Sequence, residues 1–165
     1  MLNNSLNKFL EMDPIEFDQG KGGWRSLIGI KEEVDIANLI LEYADLNRKK
    51  VDEYNKTRGA GQSFPIGLLY FHAGQSFGFA GAEYYKKAIE CFQKSYGEKN
   101  ECWNAYVNGN VAFLEGDKDE LQRQIKIIKN SGSEDKRSGN IGILKNFSIC
   151  LEQGIKDYEK AYSLA

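Results

Sequence analysis

Between residues 68 and 127 the chain repeats itself at an interval of 35. Leu68 aligns with Trp103, Phe71 with Tyr106, Gly74 with Gly109, Gly81 with Gly116, and Phe92 with Ile127. A fixed interval shared by apolar and glycine positions marks one supersecondary unit used twice, and at this length the unit is a helical hairpin. A single hairpin cannot bury its own apolar face, so such units stack, and stacked hairpins present extended binding surfaces. A glycine inside a helix costs about 1 kcal/mol relative to alanine. Gly74 and Gly78, four apart on one face, therefore predict a neighbouring helix in close approach.

The same reading extends along the chain. Leu2, Leu6, Phe9 and Leu10 recur at helical spacing and predict a short helix over 2–12. Asp13-Pro14 ends it, because the residue before proline is turned away from helical geometry. Residues 15–23 read as a flexible loop through Gly20, Gly22 and Gly23, pinned by Phe17, with Trp24, Leu27, Ile28 and Ile30 as an apolar anchor after it. A helix beginning near Lys31 carries an apolar stripe of Val34, Ala37, Leu41 and Ala44, widened by Ile36, Ile40 and Tyr43. A weaker segment around Val51 and Tyr54 continues it or folds back separately, and 57–63 is a break. The repeat region predicts helices over 65–80, 83–96, 101–114 and 118–129, with Asp117 as an N-cap and Glu120 completing a capping box. Residues 97–100 form a second break and 131–140 an exposed loop. Helices over 141–153 and 155–164 follow. The step from Gly116 to Gly154 is 38 rather than 35, as expected of a degraded third unit or cap. No strand pattern of comparable quality competes.

Composition narrows the function classes. At 165 residues, with 41% apolar and 12% aromatic side chains, the chain is long enough to bury roughly 70% of its unfolded surface as one domain. The net charge is −2, and the one compact basic run, Arg48-Lys49-Lys50, is expected to close a helix C-terminus, where cations complement the dipole. Nucleic-acid binding is not expected. Cys91, Cys102 and Cys150 have no metal-ligand spacing and predict reduced thiols. The N-terminus lacks the basic and apolar pattern of a secretory signal, and no apolar run reaches membrane-spanning length. The expectation is a cytoplasmic protein with no metal, no cofactor and no membrane association.

Within 67–129 the chain resembles tetratricopeptide repeats. Gly74 stands where that family places its first-helix glycine, Gly81 stands at the hairpin turn, and Ala88, Phe92 and Ser95 follow the second-helix run of small, aromatic and small residues. Arg123 stands where the second unit would have a small residue, while Ile127 keeps the bulky position. The resemblance implies an all-α fold of antiparallel helical hairpins stacked as a short right-handed superhelix. The expected organisation is a single domain over 1–165: an N-terminal helical segment at 1–63, two hairpins at 64–130, and a degraded third hairpin or cap at 141–165. The runs HAGQSFGFAG from His72 and WNAYVNGNVAFLEGD from Trp103 also resemble small helical proteins of bacterial toxin–immunity modules.

Candidate sites follow from this frame. First helices of tetratricopeptide hairpins line the concave face, and the repeat register matches Phe71 with Tyr106 and Gln75 with Asn110. An aromatic and an amide in each unit suit recognition, since rigid aromatics anchor interfaces and amides add directional hydrogen bonds. Phe71, Gln75, Trp103, Tyr106 and Asn110 are therefore the expected partner-binding residues, with inter-helix core as the competing reading for Phe71 and Tyr106. Asn104, Asn108 and Asn110 suggest an exposed polar strip. His72 is the only histidine and reads as a structural or groove-lining residue; as a general base, the competing reading, it needs an orienting partner that the sequence does not identify. The acidic run Glu115, Asp117, Asp119 and Glu120 reads as helix-start chemistry, and Gly20-Lys21-Gly22-Gly23 lacks the strand and Gly-Lys-Ser/Thr ending of a phosphate loop. The expected function is non-enzymatic protein binding, in its sharper form an immunity protein that occludes a toxin domain. The alternatives are a helical-groove enzyme using His72 and an adaptor for a peptide client.

Overall fold

The computed structural model describes residues 6–57, 64–97, 101–131 and 138–164. The described residues are all-α, with no strand among them. Helices α1 (Asn7–Leu10) and α2 (Pro14–Gln19) lead through a 3-10 turn (Trp24–Leu27) into α3 (Glu33–Leu46) and α4 (Arg48–Lys56). The repeat follows as two antiparallel hairpins, α5 (Ile66–Ala80) with α6 (Tyr85–Lys94), and α7 (Glu101–Glu115) with α8 (Lys118–Asn130). Helices α9 (Ser138–Glu152) and α10 (Tyr158–Ser163) complete the chain. Helix α3 lies along α5, α9 packs on α7 and α8, and α10 returns to rest on both α9 and α5.

The turns explain the hairpins. Gly81, Gly116 and Gly154 all have positive φ, at 121°, 76° and 76°, a region that side chains with a Cβ rarely occupy. Asp117 accepts a hydrogen bond from the Glu120 amide at 2.9 Å and so caps α8. Only half of the predicted capping box forms, because the Glu120 carboxylate turns to Arg123 and Gln124 instead. A 3-10 turn over Ala82–Tyr84 precedes α6, which delays that helix relative to the sequence expectation.

The close approaches occur at the predicted glycines, but toward different neighbours. A Cβ on Gly74 would lie 2.8 Å from the Phe92 ring of α6, and one on Gly78 2.6 Å from the Tyr158 ring of α10. On Gly109 it would lie 2.5 Å from Leu144 of α9. Two repeat-equivalent glycines thus serve an intra-hairpin contact in one unit and an inter-unit contact in the other. One apolar core runs through the described chain from Leu6 to Ala161.

The N-terminal region departs most from expectation. Residues 14–19 are helical, not loop: the Asp13 carboxylate accepts from the Ile15 and Glu16 amides, and Pro14 occupies the first helical position. Gly20 and Gly23 are packed against the backbone of Glu16 and Phe17, where a Cβ would fall within 2.4 and 2.1 Å of carbonyl oxygens, so this segment is a tight turn. Phe17 does pin it, stacked on Tyr43 with ring centroids 3.7 Å apart. Of the expected anchor, Trp24 is buried while Ile28 and Ile30 are exposed. Arg48-Lys49-Lys50 opens α4 rather than closing a helix. Arg48 donates to the Tyr70 hydroxyl, and Lys50 donates to the carbonyls of Glu11 and Met12, which replaces the expected dipole role. Leu2, most of the predicted break at 57–63, residues 98–100 and most of the 131–140 loop lie outside the described residues.

Candidate functional site

Asp18 is the organising residue of the site. It is fully buried near the end of α2, and its carboxylate gathers four donors. Oδ1 accepts from His72 Nδ1 at 2.8 Å, Trp24 Nε1 at 3.0 Å and Arg25 at 3.2 Å, and Oδ2 accepts from Gln19 at 2.7 Å. Burial alone would raise the Asp18 pKa. The hydrogen bond from His72, the Trp24 indole and the Arg25 guanidinium outweigh burial and hold it below the ordinary carboxylate value.

His72 thus has the orienting partner that its sequence neighbourhood does not show, supplied from 54 residues away. With Nδ1–H directed to Asp18, the lone pair of the neutral ring falls on Nε2, and Nε2 lies 3.4 Å from an Arg25 guanidinium nitrogen. Arg25 also lies over the Trp24 ring, 4.3 Å from its centroid. Both imidazole nitrogens therefore face groups of the same chain.

Trp24 and His72 of this cluster line a groove of about 270 Å³ between the Trp24 turn, α3, α5 and α10, while Asp18, Gln19 and Arg25 lie outside its lining. Trp24, Ile28, Phe79 and Tyr162 supply its apolar surface, while Glu33, Ser76, Glu159, Gln75 and Ser163 supply polar groups. Ser76, itself buried, lines the groove with Glu33. Burial raises the Glu33 pKa and the nearby Glu159 charge raises it further, against the lowering effect of Ser76.

The expected partner-binding residues are distributed as follows. Phe71, Tyr106 and Asn110 are buried at 4, 2 and 0% exposure, and the Phe71 and Tyr106 rings lie 5.3 Å apart. They form the inter-helix core, not a surface strip. Trp103 is half-buried beside its repeat partner Leu68, at a separate cavity of about 260 Å³ closed by Pro65 and Ser95. Gln75 alone among the five lines the groove.

The register-matched amides do bind an aromatic helix, but it is the chain's own α10. Asn110 accepts from the Tyr158 hydroxyl at 2.5 Å, and Gln75 donates to the Tyr162 hydroxyl at 2.8 Å. Tyr158 and Tyr162 are four apart and share a helix face. Tyr85 of α6 holds the approach to α10 through Lys156 and Tyr158. The expected asparagine strip is likewise engaged internally: Asn104 bonds both backbone groups of Gly97, and Asn108 accepts from Tyr96. The occupant was not identifiable from local pattern, although a Tyr-x-x-x-Tyr pair beyond the repeats was the available signal.

Among the described residues no cluster of His, Cys, Asp and Glu could hold a metal ion, and no helix is long and apolar enough to cross a membrane. Comparison with protein-family models, curated proteins and solved structures gives no match. The site's chemistry is therefore read from its own residues.

Proposed function

We propose that this chain is a non-enzymatic protein-binding protein that receives its partner at the groove between the Trp24 turn, α3, α5 and α10. The observation that carries this reading is the contrast between two sets of groove residues. Exposed Ile28 and half-buried Phe79 offer an apolar surface beside the buried Trp24, as interface anchors do, whereas the one imidazole has both nitrogens directed at Asp18 and Arg25. A general base needs a lone pair directed at substrate, and here that lone pair faces a cation.

The proposed scaffold is a short tetratricopeptide-like right-handed stack. Two antiparallel hairpins, positive-φ glycines at their turns, and close approach at Gly74 support it. Docking of α10 across the hairpins moves the available surface from their matched amides to the groove beside α10. In the sharper form, the partner is a bacterial toxin domain whose active site is occluded in the cytoplasm, and the net charge of −2 favours a basic one.

A photo-crosslinking residue at Ile28, exposed at 55% on the groove rim, tests this in the native host, with exposed Lys126 as the control position. A discrete protein adduct from position 28 and none from 126 is the expected result; equal labelling from both would refute a groove-specific partner. The Asp18–His72 pair favours one second reading, an enzyme using His72. Activity abolished by His72→Gln, with folding and crosslinking retained, would select that reading over binding.

A further inference from the structure

We infer that the groove selects a basic side chain, a lysine or arginine presented by the protein partner, with its charged end at Glu33 and Glu159 and its stem along Phe79 and Tyr162. The inference rests on the proposed role of the groove as the partner's seat. Three features of the site converge on this chemistry.

The first is charge without a counterpart. The groove contains two carboxylates, and among the described residues neither Glu33 nor Glu159 forms an ion pair with a cation of this chain; the pairs that form are Arg25 with Asp18 and Arg123 with Glu120. The second is placement. Glu33 is half-buried at the first turn of α3 and lines the groove with Ser76 of α5, while Glu159 comes from α10. The two carboxylates therefore come from different helices lining one groove, near enough for the Glu159 charge to act on Glu33, so that a cation seated there meets both. The third is the apolar surround. Phe79 and Tyr162 meet edge to face, with centroids 5.3 Å apart, and Trp24 closes the side toward His72. Aromatic faces attract a cation and cover the methylene stem that carries it. An acidic side chain would meet two like charges, and a neutral one would leave both carboxylates unanswered.

The test uses four capped tripeptides, acetyl-Gly-X-Gly-amide with X as arginine, lysine, citrulline or glutamate, titrated into the ¹⁵N-labelled full chain. Its two tryptophans give two indole signals: Trp24 in the groove reports binding, and Trp103 at the other cavity is the internal control. Saturable movement of the Trp24 signal with the arginine and lysine peptides, weaker by about tenfold or more with citrulline, is expected for a charge-assisted contact. The Glu33→Gln/Glu159→Gln double variant should lose that preference while melting no lower than the native chain, because Glu33 is a burdened acid. Equal response to citrulline and arginine, movement with the glutamate peptide, no movement with any peptide, or an unchanged preference in the folded double variant would overturn the inference. The two levels of argument separate cleanly. A crosslink from position 28 that survives in the double variant keeps the groove reading and defeats the basic-side-chain inference. Selective peptide binding without any position-28 adduct does the reverse.

Discussion

Replacing Asp18 with asparagine keeps the side chain's shape and removes its charge. The structure sets the cost. Three donors converge on Oδ1, and a neutral amide oxygen accepts each of them more weakly than a carboxylate does. The bonds from His72, Trp24 and Arg25 therefore lose their charge assistance, and the new amide NH₂ confronts the Gln19 donor on the other side. Hydrogen bonds to a charged group contribute about 1.5–3 kcal/mol each, and removing one partner of a buried pair costs about 3–5 kcal/mol. Arg25 is 39% exposed and can return to water, which discounts its share. The expected loss is about 2–4 kcal/mol, or a melting temperature lower by roughly 4–16 °C for a chain of this size. Urea unfolding followed by far-ultraviolet circular dichroism measures it, with an unchanged denaturant slope confirming a comparable native state. The pH dependence supplies an independent check. The Asp18 pKa is lowered on folding, so its stabilisation is present above the unfolded aspartate value and is lost as pH falls through the folded one. The gap between the two proteins should therefore close below about pH 4. A variant within about 0.5 kcal/mol of the native chain near neutral pH, or a gap that persists undiminished into strong acid, would refute the view that this carboxylate fastens the Trp24 turn to α5.

Other perturbations probe separate parts of the molecule. Gly78→Ala should destabilise, because the Tyr158 ring stands 2.6 Å from the added Cβ and overpacking of about 1–3 kcal/mol exceeds the ~1 kcal/mol gained in helix propensity. Gly142→Ala in α9, where nothing lies within 4 Å, should instead stabilise by about 0.5–1 kcal/mol; thermal melts of the two variants should move in opposite directions. Glu33→Gln should remove a pH-dependent penalty: the native carboxyl titrates above its unfolded value, so native stability falls as pH rises through that interval while the variant's does not. Chemical denaturation across the mildly acidic range compares them. Thiol labelling of the native chain should modify half-buried Cys102 first, with Cys91, buried and pushed up to about 11, and buried Cys150 reacting only on unfolding.

The helices and hairpin turns were legible because their causes are local. Period 3.6 in the apolar residues and glycines at Gly81 and Gly116 act over a few positions, and they place α5, α7 and α8 within a residue or two. Helix α2 escapes the local reading because Asp13-Pro14 signals a stop for the preceding helix and equally a cap and first-turn proline for the next. The Asp18 cluster beside the groove is illegible for a different reason. The Asp18–His72 contact spans 54 residues, and nothing in the DQGKGGWR run from Asp18 specifies that its carboxylate turns inward.

The repeat register poses the most instructive case, since its chemistry was readable and its occupant was not. Gln75 and Asn110 stand one repeat apart and each engages a tyrosine of one helix face, as a pair of recognition amides would. That helix belongs to the same chain, and its docking has a consequence for the groove: Glu159, Tyr162 and Ser163 reach the groove only when α10 is in place. Asn110 is fully buried and lines no part of the groove, yet it fixes Tyr158, one residue before Glu159. Fold and proposed recognition surface are therefore coupled through α10. Asn110→Ala should deprive the buried Tyr158 hydroxyl of its acceptor, at a cost of about 1–3 kcal/mol. It should weaken arginine-peptide binding at the Trp24 signal without altering a single residue that the ligand touches. Undiminished binding in that variant, with the loss in stability present, would show that the groove forms independently of the α10 clamp.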